Sequence, residues 1–394
     1  MVSATTYLPA LTGLRGCFAL WVWALHVAMM LQQHAGLNVH DYLGIPVAAL
    51  LWSGYLAVDG FFILSGFVLF YVYAGKMANR QAVKIFLRAR LARILPLHVL
   101  VLGILSCLIF LHPIVAWQFP QAQTAAPDSA FTLTEWLQQL FLVQSWWWFP
   151  RLSWNGVSWS VSAELALYLV FPLLYLLLRR HSAAWLKVFI IYALLVLLYL
   201  LLYSSERAAV LQGDLAAMYS PARAPLPDMI AARLGPGALE FGLLRATAGF
   251  VIGCLLYGLW QQRGSLLRRM SGYVFPLSAL GLLFALLWGP SWLAHFFMPT
   301  LILGSVMGRG PLQRCLSSRL AQFLGDISYA FYLIHMIVFA GLMLLLPADI
   351  GASLWWLGLF IVGSTLLIIA LSWLLTRYVD VPVRRWLRPT QVAD

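Results

Sequence analysis

Residues 157–178 read VSWSVSAELALYLVFPLLYLLL, an apolar run whose single charge is Glu164. As a helix rising about 1.5 Å per residue it is roughly 33 Å long, enough to cross a hydrocarbon core of about 30 Å. Working outward, runs of the same kind tile the rest of the chain. They predict spans at 12–33, 47–74, 94–116, 157–178, 185–203, 238–260, 273–288, 292–308, 327–346 and 353–376. The chain is 394 residues long, 62% hydrophobic and only 10% charged, whereas a soluble domain averages about 25% charged. The expectation is an all-α polytopic membrane bundle of about ten transmembrane helices, with residues 1–394 forming one membrane domain. The seventh and eighth predicted spans are short and separated by Gly289-Pro290-Ser291-Trp292, so a re-entrant pair is an alternative there.

A net charge of +12 would suit a nucleic-acid binder if it formed a patch. Here the basic residues sit in short stretches between apolar runs. With the N-terminus in the cytoplasm, the inside segments hold nineteen of the 25 Lys and Arg residues, among them Lys84, Arg88, Arg90 and Arg93 before the third span. Cytoplasmic loops carry such an excess, so both termini are expected to be cytoplasmic. Two long segments, near 117–156 and 204–237, then lie outside. The first carries Trp146-Trp147-Trp148-Phe149-Pro150, read as an interfacial aromatic belt that could also stack a sugar ring. The second is rich in Pro and Ala and predicts a loop. Cys17, Cys107, Cys254 and Cys315 have neither metal-ligand nor redox-motif spacing, so no metal is expected.

Ionisable groups at membrane depth are costly, and each needs a reason. Arg15 and His26 lie eleven residues apart in the first span. Eleven steps of 100° return to within about 20°, so both leave one helix face, roughly 16 Å apart along the axis. His26 is about 21 Å from the cytoplasmic start of its span, and Glu164 about 20 Å from the cytoplasmic side of its own. A carboxylate beside an imidazole would orient the ring and raise its basicity, which suits general-base work. Asp59 and His335 also match, each near 12 Å from the cytoplasmic face. The plainer readings are a snorkelling Arg15, a structural Asp59, and His98 and His295 as interhelical hydrogen-bonders. Arg90 and Arg93 are one turn apart on one face, and paired guanidinium groups suit phosphate. Arg88 reads as plain positive-inside charge.

Five stretches carry a family resemblance. The first span has Leu11-Thr12-Gly13-Leu14-Arg15-Gly16 and an Arg-x10-His pattern ending at His26. The second has Val58-Asp59-Gly60-Phe61-Phe62-Ile63-Leu64-Ser65-Gly66-Phe67, and the third begins Arg90-Leu91-Ala92-Arg93-Ile94-Leu95-Pro96. Then come Ser158-Trp159-Ser160-Val161-Ser162-Ala163-Glu164 and Gly325-Asp326-Ile327-Ser328-Tyr329-Ala330-Phe331-Tyr332-Leu333-Ile334-His335. In this order they resemble the acyltransferase-3 family of polytopic membrane O-acyltransferases. Departures are Leu165 where a second acid is common, Met336-Ile337 where a Pro often follows the last His, and His98 in place of an aromatic.

The resemblance implies transfer of an acyl group, acetyl being the expected one, from acyl-CoA as co-substrate to a sugar hydroxyl of a cell-envelope glycan or lipid-linked sugar. It implies a multi-pass protein of the bacterial cytoplasmic (inner) membrane. On that reading His26 and Glu164 are catalytic, and Arg15, Arg90 and Arg93 bind the cofactor's phosphates. Asp59, Ser65, Trp159, Ser162, Tyr329 and His335 support the site. The competing class is a secondary transporter or flippase of a lipid-linked sugar, since many spans with midplane charges fit that too. Against it stand the missing internal repeat and the phosphate-suited arginine pair.

Overall fold

A computed structural model describes residues 8–35, 39–77, 79–111, 131–146, 153–179, 183–184, 186–197, 242–287, 293–307, 310–343 and 354–387. Among the described residues the regular structure is helical, with no strand. In chain order the helices are α1 (Pro9–Ala35), the short α2 (Val39–Leu43), α3 (Ile45–Trp52), α4 (Leu56–Tyr73) and α5 (Arg80–Leu111). There follow α6 (Leu133–Leu140), α7 (Trp159–Leu178) and α8 (Leu186–Leu197). The chain continues with α9 (Gly242–Leu287), α10 (Ala294–Met307), α11 (Pro311–Leu316), α12 (Arg319–Met343), α13 (Leu354–Leu375) and α14 (Val381–Leu387).

Seven of these stretches are long and apolar enough to cross a membrane, and 186–197, 272–287 and 294–307 are shorter apolar helices. Together they occupy all ten predicted spans. The protein is an all-α, multi-pass integral membrane protein.

The helix ends differ from the sequence reading in an instructive way. The third begins at Arg80 rather than 94, and the ninth at Arg319 rather than 327. Arg, Lys and Gln are good helix formers, and their stems can lie along the helix while the heads reach water. Hydropathy therefore stops where the helix does not. The same holds for 261–272, read as a loop. It is helical, and the sixth and seventh spans join in α9 through a kink at Arg263 (φ −124°, ψ 20°), beside Gly264. Trp260, Gln261, Gln262, Ser265, Arg268 and Arg269 line a hollow at that kink. The second span is α3 and α4 joined by a 3₁₀ turn at Ser53–Tyr55, and α4 runs unbroken through Gly60 and Gly66. The segment near 117–156 contains α6, which opens with a reciprocal cap between Thr132 and Glu135. Of the aromatic run only Trp146 is described. Residues 147–150, the 204–237 segment and the Gly289–Trp292 turn lie outside the described residues.

The chain divides into two compact units, Met1–Ala74 with Leu174–Gly325, and Gly75–Leu173 with Asp326–Asp394. In the first, α4 and α9 are clamped backbone to backbone. A Cβ added at Gly66 would run into the Phe250 carbonyl, and one at Gly253 would sit 2.7 Å from the Phe67 amide. Gly249 and Gly253 form the small-xxx-small spacing that lets membrane helices approach. Next to this contact Phe67, Phe70, Tyr71, Tyr257 and Trp260 pack in edge-to-face and tilted ring pairs. In the second unit, Phe86 of α5 packs on Tyr168 and Phe171 of α7. The Tyr329 hydroxyl of α12 donates to the Ile94 carbonyl of α5 at 2.6 Å.

Candidate active site

Arg15 and His26 both lie in α1, half-buried, in the helical register the spacing predicts. The glycines around Arg15 let α1 come very close to the start of α12. A Cβ on Gly16 would stand 2.9 Å from the Gly325 amide nitrogen, and one on Gly13 would strike the Leu316 carbonyl. Two of the sequence motifs, Thr12-Gly13-Leu14-Arg15-Gly16 and Gly325, thus interlock in space.

His26 Nδ1 lies 2.9 Å from the Val22 carbonyl oxygen. A carbonyl can only accept, so Nδ1 carries the proton and donates. In the neutral ring the lone pair is then on Nε2. A carbonyl one turn back in the same helix thus holds the ring through Nδ1.

Glu164 belongs to the second unit, where its Oε1 accepts from the Tyr168 hydroxyl at 2.5 Å, one turn along α7. The Arg90 guanidinium stands over the Tyr168 ring at 5.8 Å, within cation–π range. The second unit thus gathers Glu164, Tyr168 and Arg90 on neighbouring helices. Arg90 and Arg93 are half-buried on α5, while Arg88 is exposed.

Asp59 is fully buried, and its partners are a finding that the sequence did not give. Oδ2 accepts from Arg245 Nη2 at 2.8 Å and from His295 Nε2 at 2.9 Å. Both partners come from the same unit as Asp59, on α9 and α10. Arg245 is 4% exposed and lies within the predicted span 238–260. One signal was available: an arginine placed just before Gly249 and Gly253 is on a helix that must pack tightly, and a buried arginine needs a carboxylate.

His335 is buried against Phe331, Tyr332 and Phe339, and its Nδ1 donates to the Tyr332 carbonyl at 2.8 Å. Ser162 Oγ donates to the Leu142 carbonyl at 2.6 Å and accepts from the Ser145 amide. Ser65 and Trp159 are half-buried in α4 and at the start of α7. His98 Nε2 donates to the Gln139 carbonyl at 2.7 Å, and His295 bonds Asp59, so both histidines are interhelical hydrogen-bonders as expected. Among the described residues no group of three or more His, Cys, Asp and Glu is placed to hold a metal ion.

An acyltransferase domain profile, that of the acyltransferase-3 family, matches residues 8–377 and so runs across both units. The chain belongs to the acyltransferase-3 family. Within it, the chain is similar to the Acyltransferase MdmB of Streptomyces mycarofaciens, with 36% identity over 178 residues, 44% of this chain and 40% of the relative. It is also similar to Protein 2 in picA locus of Rhizobium radiobacter, 38% identical over 97 residues, 24% of this chain and 42% of that protein. The aligned stretches thus span about two fifths of each relative's length. No solved structure matches the chain. This acyltransferase-3 chain holds Arg15 and His26 in one unit and Arg90, Arg93 and Glu164 in the other, each set on helices whose packing is built from the surrounding motif residues.

Proposed function

We propose that the protein transfers an acyl group, acetyl being the expected one, from cytoplasmic acyl-CoA to a hydroxyl of a cell-envelope or exported sugar. The observation that carries the reading is the His26 tautomer. With Nδ1–H committed to the Val22 carbonyl, Nε2 holds the lone pair that general-base catalysis requires. His26 Nε2 takes the proton of the sugar hydroxyl as its oxygen attacks the thioester carbonyl. The C–S bond breaks, and the imidazolium returns the proton to the departing thiolate. Acylation of His26 itself, followed by transfer, is the other route open to the same nitrogen. Glu164 is proposed as the second catalytic group, its carboxylate held by Tyr168. CoA is too highly charged to enter hydrocarbon. Its phosphates are proposed to stay with Arg90, Arg93 and Arg15, whose guanidinium forks suit phosphate oxygens. The membrane is proposed to be the bacterial inner membrane.

The test is purified protein in lipid, acetyl-CoA and a glycan acceptor, with free CoA and acylated sugar both measured. His26→Ala is expected to lower transfer by roughly 10²–10⁴-fold, the usual contribution of a positioned base, while the protein elutes and melts as wild type. Near-normal transfer in that variant sinks the proposal. Loss of a glycan acyl group from cells lacking the gene would identify the acceptor.

A further inference from the structure

In the second unit a buried polar cluster joins four stretches of chain that the proposed chemistry does not use. Gln139 of α6 is its hub. Its carbonyl accepts from His98 Nε2, its Nε2 donates to the Ser153 carbonyl at 2.8 Å, and its Oε1 accepts from Ser158 Oγ at 2.5 Å. Gln144 Nε2 donates to Gln139 Oε1 and to both oxygens of Ser158. Asn155 Nδ2 donates to the Leu333 carbonyl at 3.0 Å. Ser145 is tied in through its amide, which donates to Ser162 Oγ.

Five side-chain atoms of this cluster have no hydrogen-bond partner among the described residues: His98 Nδ1, Gln144 Oε1, Ser145 Oγ, Ser153 Oγ and Asn155 Oδ1. All five residues are more than nine-tenths buried. Buried polar groups are paired as a rule, so each of these needs an account. Flipping the amides or exchanging the tautomer does not remove the demand. Gln144 and Asn155 each present their NH₂ group to a backbone carbonyl, which can only accept, so their oxygens are fixed as acceptors. His98 presents Nε2–H to a carbonyl, so Nδ1 carries a lone pair. Three sites are therefore obligate acceptors, and the two serine hydroxyls can give or receive.

A second observation falls on the same stretches. Leu142 (φ 54°) and Trp154 (φ 46°) are the non-glycine residues in the left-handed region among those described. Leu142 lies between Gln139 and Gln144, and Trp154 lies between Ser153 and Asn155. Strain of this kind persists where the surroundings over-determine it, commonly at ligand sites.

We propose that this cluster binds the acceptor sugar through the sugar's hydroxyl protons. The assignment rests on the transferase reading for the word acceptor, but its chemistry stands alone. Obligate acceptors reject carboxylate and phosphate and recognise a neutral ligand rich in O–H donors, with the serines answering the ring and hydroxyl oxygens.

The full chain in lipid nanodiscs is titrated with methyl glucoside, methyl galactoside and methyl mannoside, and with their fully O-methylated counterparts, which lack donors. Saturable binding of at least one methyl glycoside, and of none of the O-methylated sugars, is expected. Ser145→Ala with Ser153→Ala removes two hydroxyls that hold no partner among the described residues. The double variant should melt no lower than wild type, yet bind the sugar at least tenfold more weakly. Binding of no glycoside, equal binding of the O-methylated sugars, or unchanged affinity in the double variant overturns the proposal. Acetyl-CoA cleavage is followed in parallel. Sugar binding without any turnover would sink the transferase reading and leave this site standing, and turnover without sugar binding would do the reverse.

Discussion

The Asp59–Arg245–His295 cluster allows a quantitative prediction. Asp59 is 0% exposed and the Arg245 side chain 5%, and their charges meet at 2.8 Å. Each ion has lost its hydration, so the pair holds only while both members remain. Removing one partner of such a buried pair costs about 3–5 kcal/mol, because the other charge stays buried. Arg245→Met leaves the Asp59 carboxylate facing His295 alone. That loss should fall at the lower end, since the hydrogen bond from His295 Nε2 still serves the carboxylate. Asp59→Asn keeps the shape and strands the guanidinium, so it belongs at the upper end. Combining the two removes both charges from the site, and it should cost under about 1 kcal/mol, as apolar replacement of buried ion pairs commonly does. At roughly 2–4 °C per kcal/mol for a unit of this size, each single variant should melt on the order of 6–20 °C lower, and the double close to wild type. Tryptophan fluorescence melts in lipid nanodiscs, run as a double-mutant cycle, read the coupling directly. Single variants that each cost less than about 1 kcal/mol, or a double variant as unstable as their sum, would show that the pair is not an isolated buried ion pair.

Other outcomes follow from the same geometry. Gly253→Ala should destabilise by about 1–3 kcal/mol, because its Cβ meets the backbone of α4, whereas Gly103→Ala, with open space around it, should melt as wild type. Glu164→Gln retains an oxygen for the Tyr168 hydroxyl, so it should fold normally and lose transfer; a variant that keeps full activity removes the carboxylate from the chemistry. Arg90→Gln with Arg93→Gln should raise the KM for acetyl-CoA far more than it lowers kcat, and should flatten the salt dependence of KM. The exposed Arg88→Gln serves as the matched control.

The transmembrane architecture was legible because it depends on transfer from water to lipid, which a run of residues such as 157–178 decides locally. Helix ends were less so. Arg80 to Arg93 are polar enough to end a hydropathy plot but helical in propensity, and the backbone follows propensity. Arg15 and His26 fall in one helix in the register their spacing gives, because period alone fixes a helix face. Depth arithmetic did less well. Depth is one coordinate of three, and it named neither Arg245 nor His295 as a partner of Asp59.

Sequence by itself determined that the chain is a helical, multi-pass membrane protein, which positions along it carry membrane-depth charge, and which family motifs it bears. Only tertiary structure decided which charges neutralise which. Nothing in the sequence pairs Arg245 with Asp59; Gly66 and Gly253 bring α4 and α9 into backbone contact and set the two together. Tertiary structure likewise gathered Gln139, Gln144, Asn155 and His98 into one cluster. Span formation is a local free energy summed over about twenty neighbours in sequence. Pairing of buried polar groups depends on contacts between residues far apart in the chain, such as Asp59 and His295, and no local sum contains them.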